Sequence, residues 1–147
     1  MEQTRSVHIL LVEDSPTDAG LAMEAFKDSK LLNNLAHVED GTQAISYLRR
    51  ENQYSDAPRP DLVLLDLNLP TKGGREVLKE IKADPDLKDI PVIVLTTSDD
   101  DQDILNSYEL HANCYITKPV DFEKFVQIVR QIQDFWFSVV TLPTGLK

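Results

Sequence analysis

A single cysteine, Cys114, stands in 147 residues, so no disulfide can form within the chain. It lies inside an apolar run and reads as a small buried core residue rather than a nucleophile. Long apolar runs are scarce too, and none approaches the roughly 20 residues a bilayer-crossing helix takes. Basic residues are in deficit: 15 Lys and Arg against 25 Asp and Glu leave a formal charge of -10. Nucleic acid and anionic membrane both need a basic footprint, so neither is expected as a partner. No internal repeat is visible, nor a Pro/Gly/Ser linker leading into a second folded segment. One domain over 1–147 is expected, with a core at about 7–137 and a C-terminal tail at 138–147. Residues 1–6 are polar and run straight into the first strand without a signal peptide, which predicts a cytoplasmic protein.

Against those absences stand four apolar runs, each ending on a polar residue suited to phosphate chemistry. Val7 to Val12 ends at Glu13-Asp14, and Leu62 to Leu65 ends at Asp66. Val92 to Leu95 ends at Thr96-Thr97, and the run from Cys114 to Thr117 ends at Lys118-Pro119. The runs are continuous rather than alternating, as strands covered on both faces are. Segments of helical spacing separate them. Ser15-Pro16-Thr17-Asp18 opens the first helix, with Ser15 as cap, Pro16 at the first position and Asp18 completing a capping-box-like pair. This helix is expected to reach about Ser29. A short strand near Leu35 to Glu39 comes next, then a helix capped by Asp40. Residues 50–60 read as an exposed loop. Further helices are predicted after Gly73-Gly74, from about Asp100 to His111, and from about Asp121 to Phe137. Five strand–helix pairs in strict alternation predict a flavodoxin-like, doubly wound (βα)5 fold. Its five-stranded parallel sheet would have the order 2-1-3-4-5, with helices on both faces.

Ligands of such a sheet sit outside the carboxyl ends of its strands, where the order reverses. Three carboxylates (Glu13, Asp14, Asp66), a hydroxyl (Thr96) and an ammonium (Lys118) would therefore share one rim. The carboxylates would repel one another if all were ionised without a partner. A hard divalent cation relieves this, and Mg²⁺ favours one or two carboxylates with water and phosphate oxygens. Taken alone, Asp14 reads equally well as a helix cap; Thr96 and Lys118 at matching strand ends favour a metal and phosphoryl site. His8, His37 and His111 read as structural or solvated, which gives no support to histidine-based phosphotransfer. Asp99-Asp100-Asp101 reads as the start of the fourth helix, where negative charge suits the helix dipole.

With these residues in place, the chain resembles a response regulator receiver domain of two-component signalling from Val7 to about Phe137. The matching elements are Val12-Glu13-Asp14-Ser15, Leu64-Leu65-Asp66-Leu67-Asn68-Leu69-Pro70 with Gly74 downstream, Leu95-Thr96-Thr97-Ser98, and Tyr115-Ile116-Thr117-Lys118-Pro119. Any one of them is weak; together they are highly specific. Asp134-Phe135-Trp136-Phe137 with Thr141-Leu142-Pro143 further resembles the stand-alone regulators paired with cyanobacterial phytochromes. The resemblance implies Asp66 as phosphoacceptor for a sensor histidine kinase, a phytochrome in the narrower match. It implies a divalent cation (Mg²⁺, Mn²⁺ or Ca²⁺) at Asp14, Asp66 and the Asn68 carbonyl, with Glu13 acting through water. Lys118 would contact a phosphate oxygen, aimed inward by a cis bond to Pro119, and the Thr97 N–H would contact the phosphate as well. Thr96 and Tyr115 would form the switch, with Thr117 structural. Gly73 stands where receivers often carry Asp, Glu13 replaces the commoner first Asp, and Thr97 is larger than the usual Ala or Gly.

The last predicted helix has more apolar residues than one sheet-facing stripe needs. Phe125, Ile128, Val129, Ile132 and Phe135 make that stripe, while Phe122, Val126, Trp136, Phe137, Val139 and Val140 lie partly off it. A homodimer or partner surface is expected from the fourth helix, fifth strand, fifth helix and tail, against a tail folded back on its own domain. The expected output is a conformational switch read by dimerisation or by another protein, not an enzymatic turnover. Two rivals stand beside it. One is a receiver fold used only for docking. The other is a small aspartyl-phosphate phosphatase, which normally needs a second Asp where Asn68 stands.

Overall fold

The computed structural model describes residues 6–29, 32–69, 72–96, 114–117 and 121–145, with backbone only for Thr96, Cys114, Tyr115, Thr117 and 135–145. The strands are β1 (Val7–Val12), β2 (Asn33–Val38), β3 (Leu62–Asp66), β4 (Val92–Thr96) and β5 (Cys114–Thr117). The helices are α1 (Pro16–Lys27), α2 (Gly41–Arg49), α3 (Gly74–Ala83) and the C-terminal helix α4 (Phe122–Gly145). All strand pairs are parallel, in the order β2-β1-β3-β4-β5. The sheet thus follows the order expected from the sequence. The helix expected at 100–111 lies outside the described residues, as do Thr97, His111 and Lys118-Pro119.

Side-chain parity explains why the apolar runs are continuous. Ile9, Leu11, Leu62, Leu64 and Leu95 point to one face, where they pack with Ala22 and Phe26 of α1 and Phe125, Ile128, Val129 and Ile132 of α4. Leu10, Val12, Val63, Leu65, Val92 and Val94 point to the other, against Ala44, Ile45 and Leu48 of α2 and Val77, Leu78 and Ile81 of α3. Every second residue has a helix to cover it, so no strand position needs to be polar.

Some boundaries differ from the sequence reading. α1 ends at Lys27 rather than near Ser29, because Asp28 caps it and the Ser29 hydroxyl turns back to the Phe26 carbonyl at 2.8 Å. Ser15 does cap α1, its Oγ accepting from Asp18 N–H at 3.2 Å. Its own N–H, however, donates to Glu13 Oε2 at 3.1 Å, not into a box with Asp18. The predicted loop at 50–60 contains a 3₁₀ turn, Asn52–Tyr54. The larger correction is at the C-terminus: helix continues past Phe137 through Gly145, taking in most of the expected tail. Val139, Val140 and Thr141 are poor helix formers, and Pro143 donates no hydrogen bond, but propagating an existing helix adds a bond for each other residue fixed. Phe122 is exposed at its start, while Val126 packs against the core.

Candidate functional site

The order of the sheet reverses between β2-β1 and β3-β4-β5, and the two acidic strand ends lie at that point. Register sets their approach. Val12 pairs with Leu65, so the next residues along, Glu13 and Asp66, are lateral neighbours on the face that α1 covers. Oxygens of Glu13, Asp14 and Asp66 all lie within 4.8 Å of one another. Glu13 and Asp66 are each 1% exposed, whereas Asp14 faces solvent.

The backbone around these carboxylates is tightly held. Glu13 N–H donates to the Val38 carbonyl at 3.0 Å, extending the β1–β2 ladder by one rung. The Glu13 carbonyl lies 2.8 Å from His37 Nε2. At the end of β3, Leu67 N–H donates to the Leu95 carbonyl at 2.8 Å, and Asn68 N–H donates to Asp66 Oδ1 at 2.9 Å. That second bond fixes both the Asp66 rotamer and the turn that carries Asn68. Gly74 closes the loop: its N–H donates to the Leu67 carbonyl at 3.2 Å, and a Cβ there would meet the Asp66 carbonyl oxygen at 2.3 Å. The sequence presents Gly74 as a chain breaker; its site is a close backbone approach beneath Asp66.

Thr96 follows Leu95, the register partner of Asp66, and is itself paired with Thr117. The backbone therefore carries Thr96 to the same rim, one strand over from Asp66. Thr97 and Lys118 lie outside the described residues, and of Tyr115 only the backbone in β5 is described. His37, read from the sequence as structural or solvated, makes a structural contact with the Glu13 carbonyl that the sequence did not specify. Nothing in its local sequence marks it, because its partner is Glu13, on another strand.

Three carboxylates this close suit a hard cation. At an effective dielectric near 20, two unit negative charges 4.8 Å apart repel by about 3.5 kcal/mol. A divalent ion with oxygen ligands reverses that sign and leaves positions for water and phosphate oxygens. The residues present therefore fit such an ion.

A parallel sheet in this order, with carboxylates gathered at its switch point, is the arrangement expected of a receiver-type domain. The chain belongs to the response regulator receiver domain family, whose model matches residues 9–130. It is 51% identical over 137 residues to response regulator Rcp1 of Synechocystis sp. (strain ATCC 27184 / PCC 6803 / Kazusa), covering 93% of each protein. Among solved structures it is similar to the phosphorylated cyanobacterial phytochrome response regulator RcpA, at 52% identity and a TM-score of 0.84. That match covers 92% of this chain and 96% of RcpA. The Mn²⁺-bound form of Rcp1 matches at 50% identity and a TM-score of 0.81, over 88% of this chain and 94% of that one. The protein is thus a receiver-domain response regulator homologous to phytochrome response regulators. Among the described residues no helix is long and apolar enough to cross a membrane.

Proposed function

We propose that Asp66 accepts a phosphoryl group from the phosphohistidine of a sensor histidine kinase of the phytochrome class. The observation that carries this reading is the convergence of Glu13, Asp14 and Asp66 within 4.8 Å at the switch point, in a chain about half identical to phytochrome response regulators. An Asp66 carboxylate oxygen attacks phosphorus, the P–N bond to the kinase imidazole breaks, and the imidazole leaves with the bonding pair. Asn68 N–H on Asp66 Oδ1 fixes the carboxylate that makes this attack. Asp14, Asp66 and the Asn68 carbonyl would hold a divalent cation (Mg²⁺, Mn²⁺ or Ca²⁺), with Glu13 acting through water. When bound, that ion offsets charge on the phosphoryl oxygens. Lys118 supplies a compact positive charge to one of those oxygens, and the Thr97 N–H contacts another.

Thr96 bonds the phosphoryl group once it arrives and draws its loop toward Asp66, and Tyr115 turns inward to follow. This is a two-state equilibrium biased by phosphate. We read its output at the fourth helix of the (βα)5 series, β5 and α4, as a homodimer or a contact with a downstream protein in the cytoplasm. The length of α4 and the exposed Phe122 support an interface there. Self-phosphotransfer and autodephosphorylation would be its only chemistry; Asn68, in place of a second Asp, disfavours phosphatase turnover.

Incubation with acetyl phosphate and Mg²⁺, followed by a phosphate-affinity gel, tests the central step. Wild type should show a retarded band that Asp66→Asn abolishes. No shift in wild type, or a shift that survives in the variant, overturns the assignment. Sedimentation tests the interface separately, and a monomer at every concentration, phosphorylated or not, removes it.

A further inference from the structure

The acidic site needs more than the right carboxylates; it needs the peptide that carries two of them held in one orientation. Regular β1–β2 pairing ends at Val12 and Val38, and one further backbone rung joins Glu13 N–H to the Val38 carbonyl. Beyond it the chain turns away on both sides, toward Ser15 as the cap of α1 and Asp40 as the cap of α2. The Glu13 carbonyl is then met by a side chain, His37 Nε2, at 2.8 Å. A carbonyl oxygen only accepts, so Nε2 carries the proton and donates. His37 is paired with Leu11, which places it on the β2 face that α1 covers, the same face as Glu13 and two residues short of it in register.

We infer that His37 is a positioning residue for the acidic site. Its imidazole anchors the Glu13–Asp14 peptide through the Glu13 carbonyl, which aims the exposed Asp14 carboxylate and the buried Glu13 carboxylate at Asp66. Among the described residues, Val38 meets the Glu13 N–H, His37 its carbonyl and Ser15 N–H its Oε2. The His37 contact comes from a side chain that a substitution can remove without touching the backbone or the carboxylates. Groups behind a metal-binding shell typically alter affinity ten- to a hundredfold when lost.

The inference rests on the reading of Glu13 and Asp14 as cation-holding residues, so its test separates the two. The full chain is compared as wild type, His37→Leu and His37→Gln, whose amide nitrogen can reach where Nε2 sits. Mn²⁺ binding without phosphate is measured by calorimetry, and exchange of the Glu13 amide by NMR in EDTA. His37→Leu should bind Mn²⁺ about tenfold more weakly and exchange the Glu13 amide faster, and His37→Gln should restore both. If His37→Leu fails to fold, His37→Asn, one methylene too short, takes its place. Wild-type affinity and exchange in the Leu or Asn variant, or a Gln variant as impaired as they are, overturns the inference. If wild type itself binds no Mn²⁺, the cation reading falls, and amide exchange alone decides the role of His37.

Discussion

Replacing Asp66 by Asn should change stability in opposite directions with and without a divalent cation. Glu13 and Asp66 are both buried, and their oxygens lie within 4.8 Å. Their repulsion is about 3.5 kcal/mol at an effective dielectric of 20. Under the proposed function the Lys118 ammonium would sit beside Asp66, and its attraction, lost with the same charge, would offset part of that repulsion. The hydrogen bond from Asn68 N–H survives, because an asparagine Oδ1 also accepts. A net gain of about 1–2 kcal/mol is expected in EDTA, or roughly 2–8 °C in melting temperature for a domain of this size. Wild type regains the advantage once cation is added: at a hundred times the dissociation constant, binding stabilises by about 2.7 kcal/mol. The variant, with one carboxylate fewer, should respond much less. Scanning calorimetry of both proteins in EDTA and over a Mg²⁺ series measures the crossover. An Asp66→Asn protein that melts at or below wild type in EDTA, or gains as much from Mg²⁺, refutes the electrostatic reasoning.

Three further outcomes follow from local geometry. Gly74→Ala should lose about 2 kcal/mol or more in urea unfolding, since its Cβ would sit 2.3 Å from the Asp66 carbonyl oxygen and 2.5 Å from Leu67 Cα. Ser15→Ala removes the α1 cap accepted from Asp18 N–H and should cost about 1 kcal/mol, seen as a lower melting temperature with Mg²⁺ binding retained. Burial, and then the Tyr54 ring 5.3 Å away, hold the Tyr47 phenol above the usual tyrosine value of 10.0. As pH rises past that value the unfolded chain gives up this proton first, so stability falls with pH there. Urea midpoints over an alkaline pH series should fall less steeply in Tyr47→Phe.

The sheet was legible because burial on both faces leaves a one-dimensional trace. With helices above and below, β1 and β3 cannot alternate, and their apolar runs ended where the pairing ended. The carboxylates were legible for the same reason, since the first polar residue after such a run lies at the rim. Helix ends were less so. Asp28 and Ser29 stop α1 by bonding back to its carbonyls, and α4 carries on through residues of low intrinsic propensity. The contact of His37 with the Glu13 carbonyl was not legible at all. Its role depends on β2 lying beside β1 with His37 opposite Leu11, and two strands paired from distant parts of the chain leave no local mark of their register.

Register also explains why this acidic cluster forms and stays formed. Adjacent strands lie about 4.8 Å apart, and continuing the Val12–Leu65 pairing by one step sets Glu13 directly beside Asp66. The repulsion between them is therefore built into the sheet and cannot be relieved by sliding. A shift of one residue would turn Asp66 to the face packed by α2 and α3 and drive Leu65 into the site. The cost of that exchange is a carboxylate set among the apolar side chains of the other face, with both faces repacked. The core thus holds the carboxylates together against their own charge. That fixed repulsion is what a cation, and then a phosphoryl group with its counter-charges, can act on. A binding event at the rim can therefore change the energy of neighbouring loops while the sheet beneath stays as it is.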